Sequence, residues 1–475
     1  GEGEGDGREE VPPADLGPAA WIALVPLLIV VARAPLKRAL LLAGLIGWLF
    51  FLVSLYWLWY VTIAGWIALA FYCALYWPLA VWLLRIGHRN RIPFTLLAPA
   101  VFATLEFVRA NLFTGFPFIL IGHTQTKFLP LIQIADITGV YGITFLIAMV
   151  NGLIADLFLC RFRLRKPEIA AVVTTIVLIA AACGYGAMRL DQLQRTHAPT
   201  RRIFLVQGNV PIHLKHSPTT EDHLTSLQRH VDLSLRAKGD DVDLLIWPET
   251  MIPAALNMSL DPELLLRAQT TEGYRDYARL MAASAEAVRR VPVETGAHML
   301  VGAETQLFRP EAKEAEDRIG RHNSAYFFSA DTRELGRYDK IHLVVFGEYT
   351  PLARIFPFLS GLRPPQMGPD LKPGAERQLF DLPDAPDPIT FGVTICYEDS
   401  VADLFRRFVK DGADFMVNIT NDGWFRDSTE LDIHFAICAM RAVENHVSIA
   451  RCANTGVSGF IAPTGEVLNV IQTPE

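Results

Sequence analysis

The chain has 475 residues, of which 51% are hydrophobic, and a formal net charge of −7, so it exceeds the usual single-core size and two or more cores are expected. With so modest a charge and no basic stripe, nucleic-acid binding has no support. Cys73, Cys160, Cys183, Cys396, Cys438 and Cys452 form no C-x-x-C pair and have no histidine at ligand spacing, which argues against a zinc site or a disulfide framework.

The first seventeen residues, GEGEGDGREEVPPADLG, read as an acidic, glycine-rich loop. They lack the basic n-region and small-residue cleavage site of a signal peptide, and the chain is expected to be a fragment whose start lies upstream.

Six apolar runs follow, at about residues 18–33, 38–60, 65–86, 93–110, 138–160 and 168–188. A helix needs ~20 such residues to cross ~30 Å of hydrocarbon, so these are six candidate spans, the first and fourth being short enough to be buried or re-entrant helices instead. Basic residues fall in alternate loops: Arg33, Lys37 and Arg38; Arg85, Arg89 and Arg91; Arg161, Arg163, Arg165 and Lys166. Lys and Arg are retained on the cytoplasmic side, which puts everything after the sixth span outside. The connection 111–137 is itself greasy, with Phe113, Phe116 and Phe118, and reads as either a re-entrant segment or an aromatic anchor. Glu106 and Arg109 share one helical face, where they either pair or meet a lipid headgroup.

From Arg202 the pattern changes to short apolar strands at 202–210, 242–250, 298–305, 324–330, 389–398, 414–422 and 447–454, with helix-length segments at 221–237, 274–290 and 430–446. Strands that are apolar throughout need cover on both faces, which predicts a layered α/β sandwich. Three positions at strand ends or in loops carry chemistry: Glu249 in WPET, Lys340 in YDKIHLVVFGEY and Cys396 in ICYED, separated by 91 and 56 residues. A carboxylate base, a fixed ammonium and a thiol together supply proton removal, oxyanion stabilisation and a nucleophile.

These three motifs, in this order, resemble the signatures of the nitrilase superfamily. With VQGNV at 206–210, NDGWF at 421–425 and the TGFPF loop at 114–118, the chain is most similar to the apolipoprotein N-acyltransferases, its membrane-embedded branch. The resemblance implies an α-helical transmembrane bundle over residues 1–195 and an αββα nitrilase-like sandwich over residues 196–475, facing the periplasm from the bacterial inner membrane. It implies a Glu249–Lys340–Cys396 triad in which Cys396 takes an acyl chain from a membrane phospholipid as a thioester and passes it to the amino terminus of a diacylglyceryl-cysteine apolipoprotein. It further implies supporting or substrate-binding roles for Glu348, which would orient Lys340; for Tyr397, whose backbone amide would complete an oxyanion site; and for Glu398, Asn418 and Asn421. No metal or cofactor is implied. Family members have eight spans, so this chain is expected to begin after the first and stop before the last. Where relatives place a tryptophan after VQG, this sequence has IHLKHS with His216. The alternative is a membrane-tethered nitrilase-like amidohydrolase that gives the thioester to water; against it stands the greasy segment 350–367, which suits a lipid-facing arm.

Overall fold

The structure is a computed structural model, and it describes residues 17–163, 165–195, 200–215, 217, 219–256, 272–308, 319–353, 355–356, 359, 363–364, 368–383 and 389–473. His216, the acidic loop before Gly17 and part of the 350–367 arm lie outside the described residues.

The amino-terminal half is helical. Its longer helices are α1 (Val25–Arg33), α2 (Leu36–Ser54), α3 (Ile63–Ala74), α4 (Tyr76–Arg89), α5 (Phe94–Asn111), α6 (Val140–Leu159) and α7 (Lys166–Arg195). Each of the six apolar runs is therefore helical. Four stretches, Leu36–Ser54, Ile63–Arg89, Val140–Leu159 and Lys166–Arg195, are long and apolar enough to cross a membrane, whereas Gly17–Arg33 is a shorter apolar helix. Large apolar side chains such as Leu41, Leu49 and Val53 on α2, and Val173, Ile176 and Val177 on α7, stay exposed, as a lipid-facing surface requires.

Glu106 and Arg109 form no ion pair within 4.0 Å among the described residues; both are buried and hold the same connection. Arg109 donates to the carbonyls of Phe116, Phe118 and Ile119 at 3.0, 2.8 and 3.0 Å. Glu106 accepts from the Ile121 amide at 2.8 Å and the Thr144 hydroxyl at 2.6 Å. Backbone groups buried away from water must find partners, and these two buried charges supply them.

The carboxy-terminal half contains two sheets. The first has the order β1 (Ile203–Leu205), β2 (Leu244–Ile246), β3 (His298–Phe308), β4 (Ile319–Phe328), β5 (Glu334–Asp339), parallel from β1 to β3 and antiparallel thereafter. The second runs β11 (Val467–Thr473), β10 (Gly456–Ile461), β9 (Ser448–Ala453), β8 (Phe415–Thr420), β7 (Ile389–Ile395), β6 (Leu379–Leu382), with β7, β8 and β9 parallel. Their facing sides share one core, in which Phe327 meets Phe391 edge to face at 5.2 Å. Helices α8 (Thr220–Ser234) and α9 (Glu272–Thr295) cover the first sheet, and α10 (Ala402–Lys410) and α11 (Glu430–Asn445) cover the second. This is the expected αββα layering. Strands β5, β6, β10 and β11 were not expected, because they are short, polar or amphipathic.

Helix α11 also joins the halves. Ile437 packs with Phe51, Leu55, Trp57 and Phe118, and Met440 and Val443 pack with Leu131, Ile132 and Ile143. Within the greasy 111–137 connection, Phe118 is buried against α11, while Phe113 remains 86% exposed.

Candidate active site

Glu249 follows β2 after a buried Trp247, whose indole donates to the Ser234 hydroxyl of α8 at 2.7 Å. The segment then crosses directly over β3. A Cβ on Gly302 would stand 2.3 Å from the Pro248 carbonyl oxygen and 2.7 Å from the Glu249 Cα, so only glycine allows so close an approach. Thr250 turns the chain away with φ +51°.

Lys340 directly follows β5 and is pinned on both sides of its backbone, its amide donating to the Asn323 carbonyl and its carbonyl accepting from the Gly374 amide, each at 2.8 Å. Its ammonium is 1% exposed and lies 2.9 Å from Glu348 Oε1 and 3.8 Å from Glu249 Oε1. Asn323 Nδ2 bridges the same two oxygens, at 2.7 Å to Glu249 and 3.1 Å to Glu348. Glu348 Oε2 accepts from the Val344 amide at 2.8 Å, which fixes the loop beyond Lys340. Burial alone would lower the Lys340 pKa, but the charge of Glu348, with that of Glu249, outweighs it and holds the ammonium protonated.

Cys396 starts the turn after β7 in the left-handed region, with φ +52°, a conformation that costs a non-glycine residue energy and lifts the side chain off the strand end. Its carbonyl accepts from Asn418 Nδ2 at 3.2 Å. Burial pushes the thiol well up, the Glu249 charge adds to this, and the Lys340 charge opposes it. The resting group is therefore a thiol, which needs a base beside it as it reacts.

The flanking candidates divide by what they touch. Glu348 lies on Lys340. Glu398 is fully buried; its Oε1 accepts from the Tyr338 hydroxyl and the Ile341 and His342 amides at 2.8, 2.7 and 2.9 Å, and its Oε2 accepts from the Ile395 amide at 2.9 Å. It clamps the Lys340 loop to the Cys396 turn and has no free oxygen for a substrate. Burial raises its pKa to about 7, restrained by the His342 amide and the Lys340 charge. Tyr397 stacks parallel on Phe118 at 5.7 Å and donates its hydroxyl to the Gly115 carbonyl at 3.0 Å. Asn418 spans Cys396 and Arg451, accepting from Arg451 at 2.6 Å. Asn421 accepts from Asn454 at 3.0 Å, while its Nδ2 is buried with no partner among the described residues.

Sequence reasoning missed the cluster beneath Cys396. Arg451 donates to Asp399 at 3.0 Å and to Asp422 at 2.9 Å, and His434 sits between the same carboxylates at 2.9 and 3.2 Å. A charged residue inside the apolar strand SIARCA was the available signal, since such a residue must find buried partners. Asp422, Glu430 and His434 are close enough to hold a metal ion. However, the Arg451 guanidinium already lies 2.9 Å from Asp422 and 3.0 Å from His434 Nδ1, and it supplies the positive charge there.

Comparison with known proteins gives concordant matches. Residues 10–153 match the apolipoprotein N-acyltransferase N-terminal domain, and residues 203–475 match the carbon-nitrogen hydrolase family. Apolipoprotein N-acyltransferase of Geobacter metallireducens is 33% identical over 96% of this chain and 83% of its own length. The Chlorobaculum tepidum enzyme of the same name is 30% identical over 94% of this chain and 83% of its own. Among solved structures, Saccharomyces cerevisiae Nit3, a member of branch 10 of the nitrilase superfamily, is 17% identical, with a TM-score of 0.39 over 57% of this chain and 86% of its own.

Proposed function

Because the chain belongs to the apolipoprotein N-acyltransferase family and so acts as an acyltransferase in lipoprotein biosynthesis, we propose that Glu249, Lys340 and Cys396 carry the N-acylation. The observation that supports this most is the meeting of Lys340 with Glu249 at 3.8 Å, next to a Cys396 thiol whose ionisation both charges affect. The three groups stand far apart in sequence and share no element.

The first half-reaction uses a phospholipid. Cys396 Sγ attacks the sn-1 ester carbonyl while Glu249 takes the thiol proton. Lys340 and the Tyr397 backbone amide stabilise the oxyanion. The carbon–oxygen bond breaks, the departing glycerol oxygen takes the proton from Glu249, and a thioester remains. In the second half-reaction the α-amine of the diacylglyceryl-cysteine acceptor attacks the thioester carbonyl. Glu249 receives the amine proton and returns it to the leaving sulfur, and the product is an amide. Glu348 and Asn323 keep Lys340 and Glu249 aimed throughout, and Glu398 holds the loop and the turn together.

The membrane half delivers the lipid. Loops that touch the catalytic half are those poor in Lys and Arg: Tyr56 accepts from the Thr429 amide at 3.3 Å, Tyr60 lies under Arg426 at 4.8 Å, and Gly115 accepts from Tyr397. The basic loops meet one another instead, Arg85 donating to the Ala34 carbonyl and Arg33 lying over Phe158 at 5.3 Å. By the positive-inside rule this orientation supports a catalytic half on the periplasmic face of the inner membrane. Exposed Leu352, Ile355 and Phe356 suit contact with the bilayer surface.

The test is transfer itself. Purified protein with phospholipid vesicles and a diacylglyceryl-cysteine peptide is expected to give the N-acyl peptide; Lys340→Ala and Cys396→Ala each abolish it, and Glu249→Gln slows it by orders of magnitude. Full transfer by Cys396→Ala rejects the proposal.

A further inference from the structure

Next to the turn after Glu249 lies a cavity of about 290 Å³, whose polar wall includes Lys215, His223, His230, Glu304 and Arg321. It adjoins the reacting groups at two places. Thr250, which lines it, is the residue after Glu249. Arg321 stands two positions before Asn323 on β4 and so shares its face of the sheet.

The charges on this wall do not balance. Arg321 and Glu304 cancel in a two-point pair at 2.9 and 2.5 Å, and Gln306 donates to the same carboxylate at 2.7 Å. The Glu249 carboxylate is turned to Asn323 and Lys340. Lys215 has only neutral oxygens for its ammonium, the Thr250 hydroxyl and, 3.5 Å away, the Glu249 carbonyl. Among the described residues no carboxylate comes within ion-pair distance of it. A half-buried cation without a counter-charge is costly, and burial accordingly lowers its pKa to about 8 against the pull of the Glu249 charge. An anion bound in the cavity would remove that cost.

We infer that this cavity takes the phosphate of the phospholipid acyl donor, with Lys215 as the cation that binds it. The inference rests on the donor assignment made above. The sn-1 ester carbonyl carbon and the phosphorus of a phospholipid are about six bonds apart on one glycerol, so with bonds of about 1.5 Å the phosphate lies within about 8 Å of the carbon under attack. A cation for it must therefore stand next to the triad without being consumed by it. Lys340 does not qualify, being 1% exposed and held by two carboxylates. Lys215 qualifies on both counts, and its neighbour Arg321 keeps the Glu304 charge from repelling the anion.

The test compares two acyl donors in the full-length protein, reading Cys396 acylation by intact mass. One donor is phosphatidylethanolamine in vesicles; the other is the para-nitrophenyl ester of the same fatty acid, which has no phosphate. Lys215→Met is expected to lower the phospholipid rate at least about tenfold more than the nitrophenyl ester rate, the order that a charge-assisted hydrogen bond supplies. Lys215→Arg, which keeps the charge, should restore most of the difference. Equal losses on both donors would overturn the inference alone, assigning Lys215 to the support of Glu249. Inorganic phosphate that slows wild type equally with both donors would assign the cavity to free phosphate and overturn the lipid assignment. A wild type that accepts the nitrophenyl ester but no phospholipid would overturn the donor reading and this inference with it.

Discussion

Tyr397 lies flat on Phe118, with ring planes parallel and centroids 5.7 Å apart, and thereby joins the residue after the nucleophile to the loop between two membrane helices. The join is doubled by the hydrogen bond from the Tyr397 hydroxyl to Gly115, a residue whose φ of +75° brings its backbone against Ala110. Phe118→Ala is expected to remove the stack and cost ~3 kcal/mol or more of stability. It should slow acylation of Cys396 by phospholipid more than alkylation by a soluble reagent, since it loosens the lipid side of the site. Tyr397→Phe keeps the stack and should lose less of the phospholipid rate. Stopped-flow or quenched intact-mass kinetics on the two variants separate these effects, and equal losses in both would contradict the account.

Gly302 sets where Glu249 stands. The methyl group of Gly302→Ala would overlap the Pro248 carbonyl and the Glu249 Cα, both of them backbone atoms, so the main chain itself must move. Catalysis is sensitive to displacements of about 1 Å, which cost on the order of 10²-fold. The expected result is a large fall in transfer rate with the protein still folded and Cys396 still open to alkylation. Unchanged transfer would mean that Glu249 tolerates movement and is not the base.

The order WPET, YDKIH, ICYED put forward Glu249, Lys340 and Cys396 before any coordinates, and the fold brings Lys340 to 3.8 Å from Glu249; the apolar runs marked the helices that precede them. What the sequence concealed were the partners of these residues. Asn323 sits inside a strand with ordinary-looking neighbours, and its bridge between Glu249 and Glu348 exists only after β4 pairs with β5. Glu398, read as a supporting residue, turned out to spend both carboxylate oxygens on backbone and Tyr338. Glu106 and Arg109 were correctly marked as costly, but their partners are carbonyls and amides of a loop, and no side-chain pattern announces a backbone acceptor.

The base role makes a kinetic claim. Glu249→Gln keeps the shape and the Asn323 contact but cannot take a proton, so Cys396 acylation should fall by ~10²–10⁴-fold. Iodoacetamide labelling of Cys396 should slow as well, because thiolate formation in the reacting pair has lost its acceptor. A Glu249→Gln enzyme within a few-fold of wild type would remove Glu249 from the mechanism.

The buried cluster under the nucleophile makes a pH claim. Burial and Arg451 both push the His434 pKa down, but Asp399 and Asp422 outweigh them and raise it to about 10. Folded protein thus keeps a proton that the unfolded chain releases near its ordinary value of about 6.5. The stabilisation is full below that value and is lost as pH rises through about 10. Thermal melts of wild type should therefore fall more steeply from about pH 7 to about pH 10 than melts of His434→Gln. Parallel curves would show that His434 is neutral when folded.

The central claim is a covalent acyl group on one sulfur. Intact-mass analysis of purified protein incubated with phospholipid vesicles and no acceptor tests it most directly. The account predicts a single added acyl chain, mapped to the Cys396 peptide, released by hydroxylamine, missing from Cys396→Ser, and discharged when a diacylglyceryl-cysteine peptide is added. An unmodified wild type that nevertheless transfers acyl chains to the peptide would contradict it, as would an adduct that survives the loss of Cys396.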